Sequence, residues 1–244
     1  MTPADTILVT GASRGIGLAT CQRLAATGHS VVGIARHPPE DGFPGNFHRA
    51  DLGDREDTER VLAEIVADHA IDGLVNNVGF NRVAALGEVA LEDLGRVLDL
   101  NLRTCVQCTQ AVLPGMRTRG YGRIVNLGSR GALGRHGRTS YAAAKAGIVG
   151  MTRTWALELA PYGITANVVA PGPTATEMFV RNNLQGPDAE AVEARFLAEV
   201  PMKRFGRPEE IAFAICCLLQ REASFITGQV LNVCGGSSIG AMPL

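Results

Sequence analysis

The stretch that decides the fold is Thr6-Ile-Leu-Val-Thr10, followed directly by Gly11-Ala-Ser-Arg-Gly-Ile-Gly17. The first five residues are apolar or β-branched, which is typical of a buried strand. A helical pattern then runs over residues 14–28 and ends at a glycine, a favoured helix terminator. Glycines between them let the main chain turn sharply and approach an anion at a helix N-terminus. The pattern predicts a strand, a phosphate-binding turn and a helix; a tight turn without a ligand is the alternative.

The same alternation of strand-length and helix-length segments continues along the chain. It is typical of a parallel sheet covered by helices on both faces. We therefore predict an α/β fold: a single Rossmann-type domain over residues 1–244, a doubly wound parallel sheet of about seven strands. The predicted strands are 6–10, 30–35, 47–50, 71–76, 123–127, 164–169 and 229–233, and the predicted helices are 14–28, 54–69, about 92–114, 140–160 and 208–220.

Composition excludes several classes of protein. Of 244 residues, 46% are hydrophobic and 19% are charged, which excludes a disordered chain and allows a large core. The net charge of -1 provides no overall attraction to nucleic acid or to a membrane surface. The longest apolar run, 211–219, is too short to cross a bilayer, and no secretion signal is recognisable. We expect a cytoplasmic protein that binds neither nucleic acid nor membrane.

The six cysteines do not form a disulfide framework in a chain of this size. Cys105 and Cys108 make a C-x-x-C pair inside the apolar helical run 97–116. Redox chemistry would need a preceding strand and turn, and a zinc site would need a second pair. We therefore favour a buried helix face for this pair, and we predict no metal site.

The second predicted strand ends at Ala35-Arg36, about 20 residues beyond the glycines, where a protein that prefers NAD carries an acid for the ribose 2′-hydroxyl. No Asp or Glu lies between Leu18 and Pro39. Arg36 and Arg14 instead match a 2′-phosphate, because guanidinium pairs well with phosphate. Two surface arginines in an arginine-rich chain are the alternative. The pattern favours NADP(H) over NAD(H).

The strongest chemical pattern is Tyr141-Ala-Ala-Ala-Lys145 at the start of a predicted helix. A spacing of four places both side chains on one helix face, about 6 Å apart along the axis. The ammonium would stabilise a tyrosinate, which makes Tyr141 a candidate general acid or base. The chain has only two lysines, Lys145 and Lys203, so chance rarely places one four residues after a tyrosine; a surface i,i+4 pair is the alternative.

Further motifs follow in a fixed order. They are Asp51-Leu52, Asn76-Asn-Val-Gly79, Asn101, Ser129, Pro171-Gly172 with Thr176, and Gly235-Gly236. Together with the glycine turn and the Tyr141/Lys145 pair, they resemble the short-chain dehydrogenase/reductase family along essentially the whole chain. The segments 10–17, 141–147 and 168–173 are most similar to those of bacterial 3-oxoacyl-[acyl-carrier-protein] reductases.

The resemblance implies a set of catalytic residues. Ser129 would bind the substrate carbonyl or hydroxyl oxygen, Tyr141 would exchange its proton, and Lys145 would hold the nicotinamide ribose. Asn101 would hold a water on the proton relay. Taken alone, Ser129 is equally well a loop hydroxyl and Asn101 a helix-surface amide.

The resemblance also implies a cofactor site. The Asp51-Leu52 pair would border the adenine, although Asp51 alone is equally a helix cap. Asn77 and Gly79 would border the adjacent ribose, and Thr174 and Thr176 would lie on the nicotinamide amide side. The implied cofactor contacts are Gly11, Ser13, Arg14, Gly15, Ile16, Gly17, Arg36, Asp51, Leu52, Asn77, Gly79, Tyr141, Lys145, Pro171, Gly172, Thr174 and Thr176.

Two segments are candidates for substrate specificity. The loop 130–138 is one residue shorter than the family pattern and carries Arg130, Arg135, His136 and Arg138. This density of positive charge has two alternative explanations: solvated surface charges, or a preference for an anionic substrate or carrier. The segment 177–200, which we call the lid segment, follows a Pro/Gly loop and is long for a connection.

The resemblance implies an NADP(H)-dependent oxidoreductase that interconverts a ketone and a secondary alcohol. A 3-oxoacyl thioester, free or carrier-bound, is the first candidate substrate; another small ketone, a sugar or a polyol is the alternative. A non-catalytic dinucleotide-binding regulatory protein is a remote alternative. The family also implies a homotetramer, assembled through the helices near 92–114 and 140–160 and through the C-terminal strand.

Overall fold

The computed structural model describes residues 4–239. Within this range the chain forms one seven-stranded sheet in the order β3-β2-β1-β4-β5-β6-β7, in which every neighbouring pair is parallel. The strands are β1 (Thr6–Thr10), β2 (Ser30–Ala35), β3 (Asn46–Arg49), β4 (Gly73–Asn76), β5 (Gly122–Leu127), β6 (Ile164–Pro171) and β7 (Val230–Val233). The predicted sheet is thus confirmed, with strand ends that differ by one or two residues.

Helices cover both faces of this sheet, as predicted. Apolar side chains of α2, α4 and α5 pack on one face and those of α1 and α8 on the other. Because parallel strands are buried on both faces, β5 and β6 are buried along almost their whole length. The helices are α1 (Gly15–Ala26), α2 (Arg55–Asp68), α3 (Leu91–Leu98), α4 (Thr104–Arg119), α5 (Thr139–Leu159), α6 (Glu177–Asn183), α7 (Ala189–Ala198) and α8 (Pro208–Leu219). Within residues 4–239 we find no helix with the length and apolar character that a membrane crossing requires.

The helix predicted over about 92–114 is wrong in detail. The structure has α3, then a π-helical segment at Asp99–Arg103, then α4. Asn101 lies in the middle of the π-helical segment and donates from Nδ2 to the Val97 carbonyl at 2.8 Å. The same amide nitrogen donates to the Phe80 carbonyl at 2.8 Å, in the loop after β4. The Asn101 side chain therefore hydrogen-bonds both to its own helix and to the loop after β4, at the point where the helix widens.

The C-x-x-C pair lies on a buried face of α4, as predicted. Cys105 is 1% exposed and Cys108 is fully buried. Burial raises the pKa of Cys105 to about 11 and also raises the pKa of Cys108. Neither thiol is in a setting that favours a reactive thiolate.

The strand order positions the functional turns. It reverses between β1 and β4, and ligands of such sheets bind beyond the carboxyl ends of the strands at this crevice. The turns after β1, β4 and β5 carry the glycine turn, the Asn77–Gly79 motif and Ser129 to this edge. The lid segment, in contrast, is not an extended connection, because it contains α6 and α7.

Candidate active site

The glycine turn after β1 is held by Asn77 from the turn after β4. Asn77 donates from Nδ2 to the Thr10 carbonyl at 2.9 Å and to the Gly11 carbonyl at 3.1 Å. Gly11 has a φ of 64°, in the left-handed region that favours glycine. A Cβ at Gly17 would overlap the Gly11 carbonyl and lie 2.6 Å from the Asn77 amide nitrogen. The turn therefore needs these glycines for the close approach of its own main chain.

This turn fits the pyrophosphate of a dinucleotide. Helix α1 begins at Gly15, and within residues 4–239 its N-cap residue, Arg14, makes no side-chain bond to the helix end. The first N–H groups of α1 thus lack a side-chain cap, and a helix N-terminus favours an anion. Ser13 lies in the same turn, whereas Ile16 packs against the core on the α1 side of the sheet.

The predicted pair of arginines is not brought together in one pocket. Arg36 lies exposed at the end of β2, and its carbonyl accepts a 2.9 Å bond from Nε of Arg49. Arg14 instead lies 3.4 Å from Glu177, at the start of the lid segment. Residues around Arg36 form a pocket beyond β2 and β3; its lining residues are Arg36, His37, Arg49, Ala50, Asp51 and Asp57.

Asp51 lies at this pocket and does not cap α2. The cap is Asp54, whose Oδ1 accepts from the main-chain N–H groups of Glu56 and Asp57 at 2.9 and 3.0 Å. The Asp51 N–H donates to Oδ2 of Asp57 at 2.7 Å, and its exposed side chain accepts from the Gly53 N–H at 2.9 Å. The side chain of the adjacent Leu52 is part of the hydrophobic core, 3% exposed.

Tyr141 and Lys145 lie in the first two turns of α5. Lys145 is 3% exposed, and its Nζ donates to the Leu127 carbonyl at 2.8 Å. The same Nζ lies 5.6 Å from the ring centroid of Tyr141. The ammonium is therefore fixed beside the phenol rather than extended into solvent.

Ser129 lies close to the Tyr141 ring. A Cβ at Gly131 would lie 3.2 Å from Oγ of Ser129 and 3.4 Å from Cε1 of Tyr141, so both side chains border the same small space. Oγ of Ser129 accepts from the Gly131 N–H at 3.0 Å, so its hydroxyl proton is available to a further acceptor.

Asn101 is a buried residue of this site and not a helix-surface amide. Its Nδ2 is satisfied as described above, whereas its Oδ1 is buried and has no hydrogen-bond partner within the described chain. A Cβ at Gly79 would lie 2.9 Å from this oxygen and 3.5 Å from Nζ of Lys145. Glycine at this position therefore lets the turn after β4 pass beside both groups, and the free oxygen suits a bound water.

The loop after β6 carries the last predicted contacts. Pro171 ends the strand, and the Gly172 N–H donates to the Val233 carbonyl at 3.0 Å. The hydroxyl of Thr174 donates to the Gly172 carbonyl at 3.0 Å, and that of Thr176 accepts from the Phe179 N–H to cap α6. These side chains shape the loop that leads into the lid segment.

Three further residues of the site escaped the sequence analysis. Thr10 accepts through Oγ1 from the N–H groups of Asn77 and Val78 at 3.0 and 3.1 Å, which joins the β1 and β4 turns. Arg49 lines the pocket at Arg36, and its place at the end of the third strand was the available signal. Asn183 of α6 bonds Arg138, a contact between segments 45 residues apart that no local pattern reveals.

Comparison with known proteins identifies the family of this chain. A family model described as enoyl-(acyl carrier protein) reductase matches residues 11–238. The chain belongs to the short-chain dehydrogenase/reductase family. It is thus an oxidoreductase of a family that binds a nicotinamide dinucleotide.

Curated relatives are similar over almost their whole length. The 3-oxoacyl-[acyl-carrier-protein] reductase of Thermotoga maritima is 38% identical over 241 residues, which cover 94% of this chain and 96% of that protein. A (2S)-[(R)-hydroxy(phenyl)methyl]succinyl-CoA dehydrogenase subunit of Thauera aromatica is also 38% identical, with 96% of both chains covered.

Solved structures share the fold. The ligand-free aldohexose dehydrogenase of Thermoplasma acidophilum has a TM-score of 0.91 and 30% identity, covering 99% of this chain and 96% of that one. A Beutenbergia cavernae protein, described as an NAD(P)-dependent gluconate 5-dehydrogenase with NADP bound at low occupancy, has a TM-score of 0.88 and 32% identity, with 97% of each chain covered.

Proposed function

We propose that this protein interconverts a ketone and a secondary alcohol with NADP(H). The observation that carries the proposal is the buried ammonium of Lys145, fixed 5.6 Å from the Tyr141 ring, with Ser129 across the same space. A phenol that lies beside a fixed cation and borders the same space as a serine hydroxyl is arranged to give or take a proton at an oxygen held by that hydroxyl.

Each residue has a separate task in this scheme. Ser129 donates a hydrogen bond to the substrate oxygen and orients it towards Tyr141, which gives that oxygen its proton. The Lys145 ammonium stabilises the phenolate that remains. The free Oδ1 of Asn101 holds a water that returns a proton from solvent. The cofactor, when bound, supplies the hydride.

The preference for NADP(H) is supported by the pocket at the end of β2. Arg36 and Arg49 are both exposed there, next to His37, and two guanidinium groups suit a phosphate dianion. Arg14, which pairs with Glu177, takes a lesser part in this preference than the sequence suggested. The similar Beutenbergia cavernae structure contains NADP.

Two substrate classes follow from the relatives. The similarity to 3-oxoacyl-[acyl-carrier-protein] reductases supports a 3-oxoacyl thioester as the first candidate. The likeness to aldohexose and gluconate dehydrogenases supports a sugar or a sugar acid as the second. The lid segment would close over either substrate, and the Arg14–Glu177 contact would couple it to the glycine turn.

We also propose a homotetramer in the cytoplasm. Leu157 on α5 is 81% exposed, Leu231 on β7 is 41% exposed, and Phe225 just before β7 is fully exposed. Large apolar side chains on these two elements suit a contact between copies of the chain.

A panel of carbonyl substrates, followed at the nicotinamide absorbance, tests the proposal. It contains acetoacetyl-CoA, a small neutral ketone and, in the oxidative direction, glucose and gluconate. We expect turnover of at least one with NADPH or NADP⁺, and a loss of about 10²–10⁴-fold in kcat for Tyr141→Phe with nearly unchanged NADPH binding. Reduction by Tyr141→Phe at the wild-type rate would show that the assignment of the acid is wrong.

A further inference from the structure

Arg138 is a buried cation with one unused edge. Arg138 is 8% exposed, and its Nη2 donates to Oδ1 of Asn183 at 2.7 Å. Its Nη1 is buried and has no hydrogen-bond partner among residues 4–239. A buried donor without a partner destabilises the folded protein, and more so when it is charged, so this edge is costly unless something occupies it.

The other two arginines of the same loop are already paired. Arg130 and Arg135 lie 3.8 and 3.9 Å from Glu199, and Arg135 also stacks on the Phe196 ring at 3.9 Å. Arg138, in contrast, has no carboxylate within 4 Å in the described part of the chain. The basic loop is therefore not a uniform set of solvated charges; one of its members is buried and lacks a counter-ion.

Arg138 lies at the edge of the proposed active site. It is the N-cap of α5 and lies three residues before Tyr141 in the chain. Burial lowers the pKa of Arg138 below its usual range, Arg135 lowers it further, and Tyr141 opposes the change. Asn183 joins the same guanidinium to α6 of the lid segment, and Ala84, in the loop after β4, pairs alongside it.

We propose that the free Nη1 edge of Arg138 binds a carboxylate of the substrate, so that the preferred ketones and alcohols carry a negative charge close to the reacting carbon. This inference rests on the proposed function and narrows its substrate class. One free edge beside a neutral amide suits a monoanion, whereas a phosphate dianion is better matched by several cationic donors. Asn183 of the lid segment bonds Nη2, and Nη1 is the buried donor that is left without a partner in the described residues.

Pairs of acids and esters test the carboxylate site. 4-Oxopentanoate and 3-oxobutanoate are each compared with their methyl esters in NADPH-dependent reduction, because each pair differs in charge and little else at the ketone. We expect a higher kcat/KM for at least one acid than for its ester. In Arg138→Gln the acid-to-ester ratio falls at least ~30-fold, the factor expected when about 2 kcal/mol of a buried charged contact is lost.

Arg135→Gln is the matched control. It removes one positive charge from the same loop but no buried donor that lacks a partner, so the acid-to-ester ratio should change less than about threefold. An equal fall in both variants would show that the general field of the loop, and not the Arg138 edge, selects the anion. A preference for dihydroxyacetone phosphate over both acids would show that the site takes a phosphate instead.

Binding without turnover separates this proposal from the proposed function. Tyr141→Phe loaded with NADP⁺ is titrated by calorimetry with 4-oxopentanoate and with its ester, with and without Arg138→Gln. Tighter binding of the acid that depends on Arg138, together with no turnover by the wild type, would support the carboxylate site and contradict the ketone reductase. Turnover of acid and ester with equal kcat/KM would overturn the carboxylate site and leave the reductase.

Discussion

The ammonium group of Lys145 donates a 2.8 Å hydrogen bond to the main-chain carbonyl of Leu127. Leu127 is the last residue of β5, and Ser129 follows it two residues later. The bond therefore ties the helix that carries Tyr141 to the strand that positions Ser129. Because Lys145 is 3% exposed, little solvent screens its charge at the phenol.

Lys145→Met should remove both the charge and this bond. We expect kcat with a ketone and NADPH to fall by about 10²–10⁴, because the proton transfer loses the cation that supports it, and NADPH binding to weaken as well. Lys203→Met is the control, since this other lysine is exposed and donates to the Ala198 carbonyl at 3.2 Å. A kcat for Lys145→Met close to that of the control would contradict the proposed role.

Arg36→Ala and Arg49→Ala should each weaken NADPH binding about tenfold or more while NADH binding changes little. The reason is that only NADPH carries the 2′-phosphate that these arginines would bind. Fluorescence titration of both nucleotides measures the ratio. Arg117→Ala, which removes an exposed arginine stacked on Tyr162 at 4.6 Å, controls for the change in net charge. Tighter binding of NADH than NADPH by the wild type would refute the preference.

Gly17→Ala should abolish cofactor binding and lower the melting temperature. The new methyl would overlap the Gly11 carbonyl and lie 2.6 Å from the Asn77 amide, and neither can move without breaking the bond between them. Gly87→Ala is the control, because a Cβ there meets nothing within 4 Å in the described structure. It should be neutral or stabilising by up to ~1 kcal/mol. Nucleotide titration and thermal unfolding compare the two variants, and normal cofactor binding by Gly17→Ala would refute the tight turn.

Acid should remove the stabilisation that Glu210 provides at the start of α8. Hydrogen bonds from the Arg204 guanidinium and the Arg207 N–H lower the pKa of Glu210 to about 2. Because the folded pKa lies below the unfolded value of about 4.5, this stability is present above pH 4.5 and is lost as the pH falls towards 2.

Melting temperatures of Glu210→Gln and wild type should therefore differ most near pH 7 and converge by pH 2. Glu209→Gln is the control: Glu209 is exposed in the same turn and has no ion pair within 4 Å among residues 4–239. A difference between Glu210→Gln and wild type that stays constant from pH 7 to pH 2 would contradict the ion pair.

Leu157→Glu should split the proposed homotetramer. Leu157 is 81% exposed on α5, and a charge buried at a contact between copies is costly. Light scattering should report a lower mass for Leu157→Glu than for the control Leu86→Glu. Leu86 is 79% exposed and lies outside α5 and β7, so this control adds the same charge away from the proposed contact. A monomeric wild type would contradict the assembly.

The strands, the order of elements and the Tyr141/Lys145 pair could be predicted because each depends on residues close in sequence. Apolar runs identify strands, and a spacing of four on a helix sets the two side chains on one face. The glycine turn was equally local, although only the structure shows Asn77 holding it.

Other features depend on contacts that cross the fold. In the widened turn, Asn101 donates a second hydrogen bond to the Phe80 carbonyl, 21 residues away in the chain. Arg14 was expected beside Arg36 but meets Glu177, because α6 returns to the glycine turn. Sequence spacing carries no information on contacts between segments that are distant in the chain, because these contacts depend on how the helices pack on the sheet.

By itself, the sequence determined a doubly wound α/β fold, a glycine turn after the first strand and the order of the catalytic candidates, because hydrophobic periodicity and short spacings act within single elements. Only the tertiary structure decided which polar groups lose water. The Nη1 of Arg138 and the Oδ1 of Asn101 are buried without a partner in the described residues, whereas Arg130 and Arg135 share Glu199. Burial depends on which segments pack together, and the cost of an unpaired buried group is what makes Arg138 a candidate for binding the substrate.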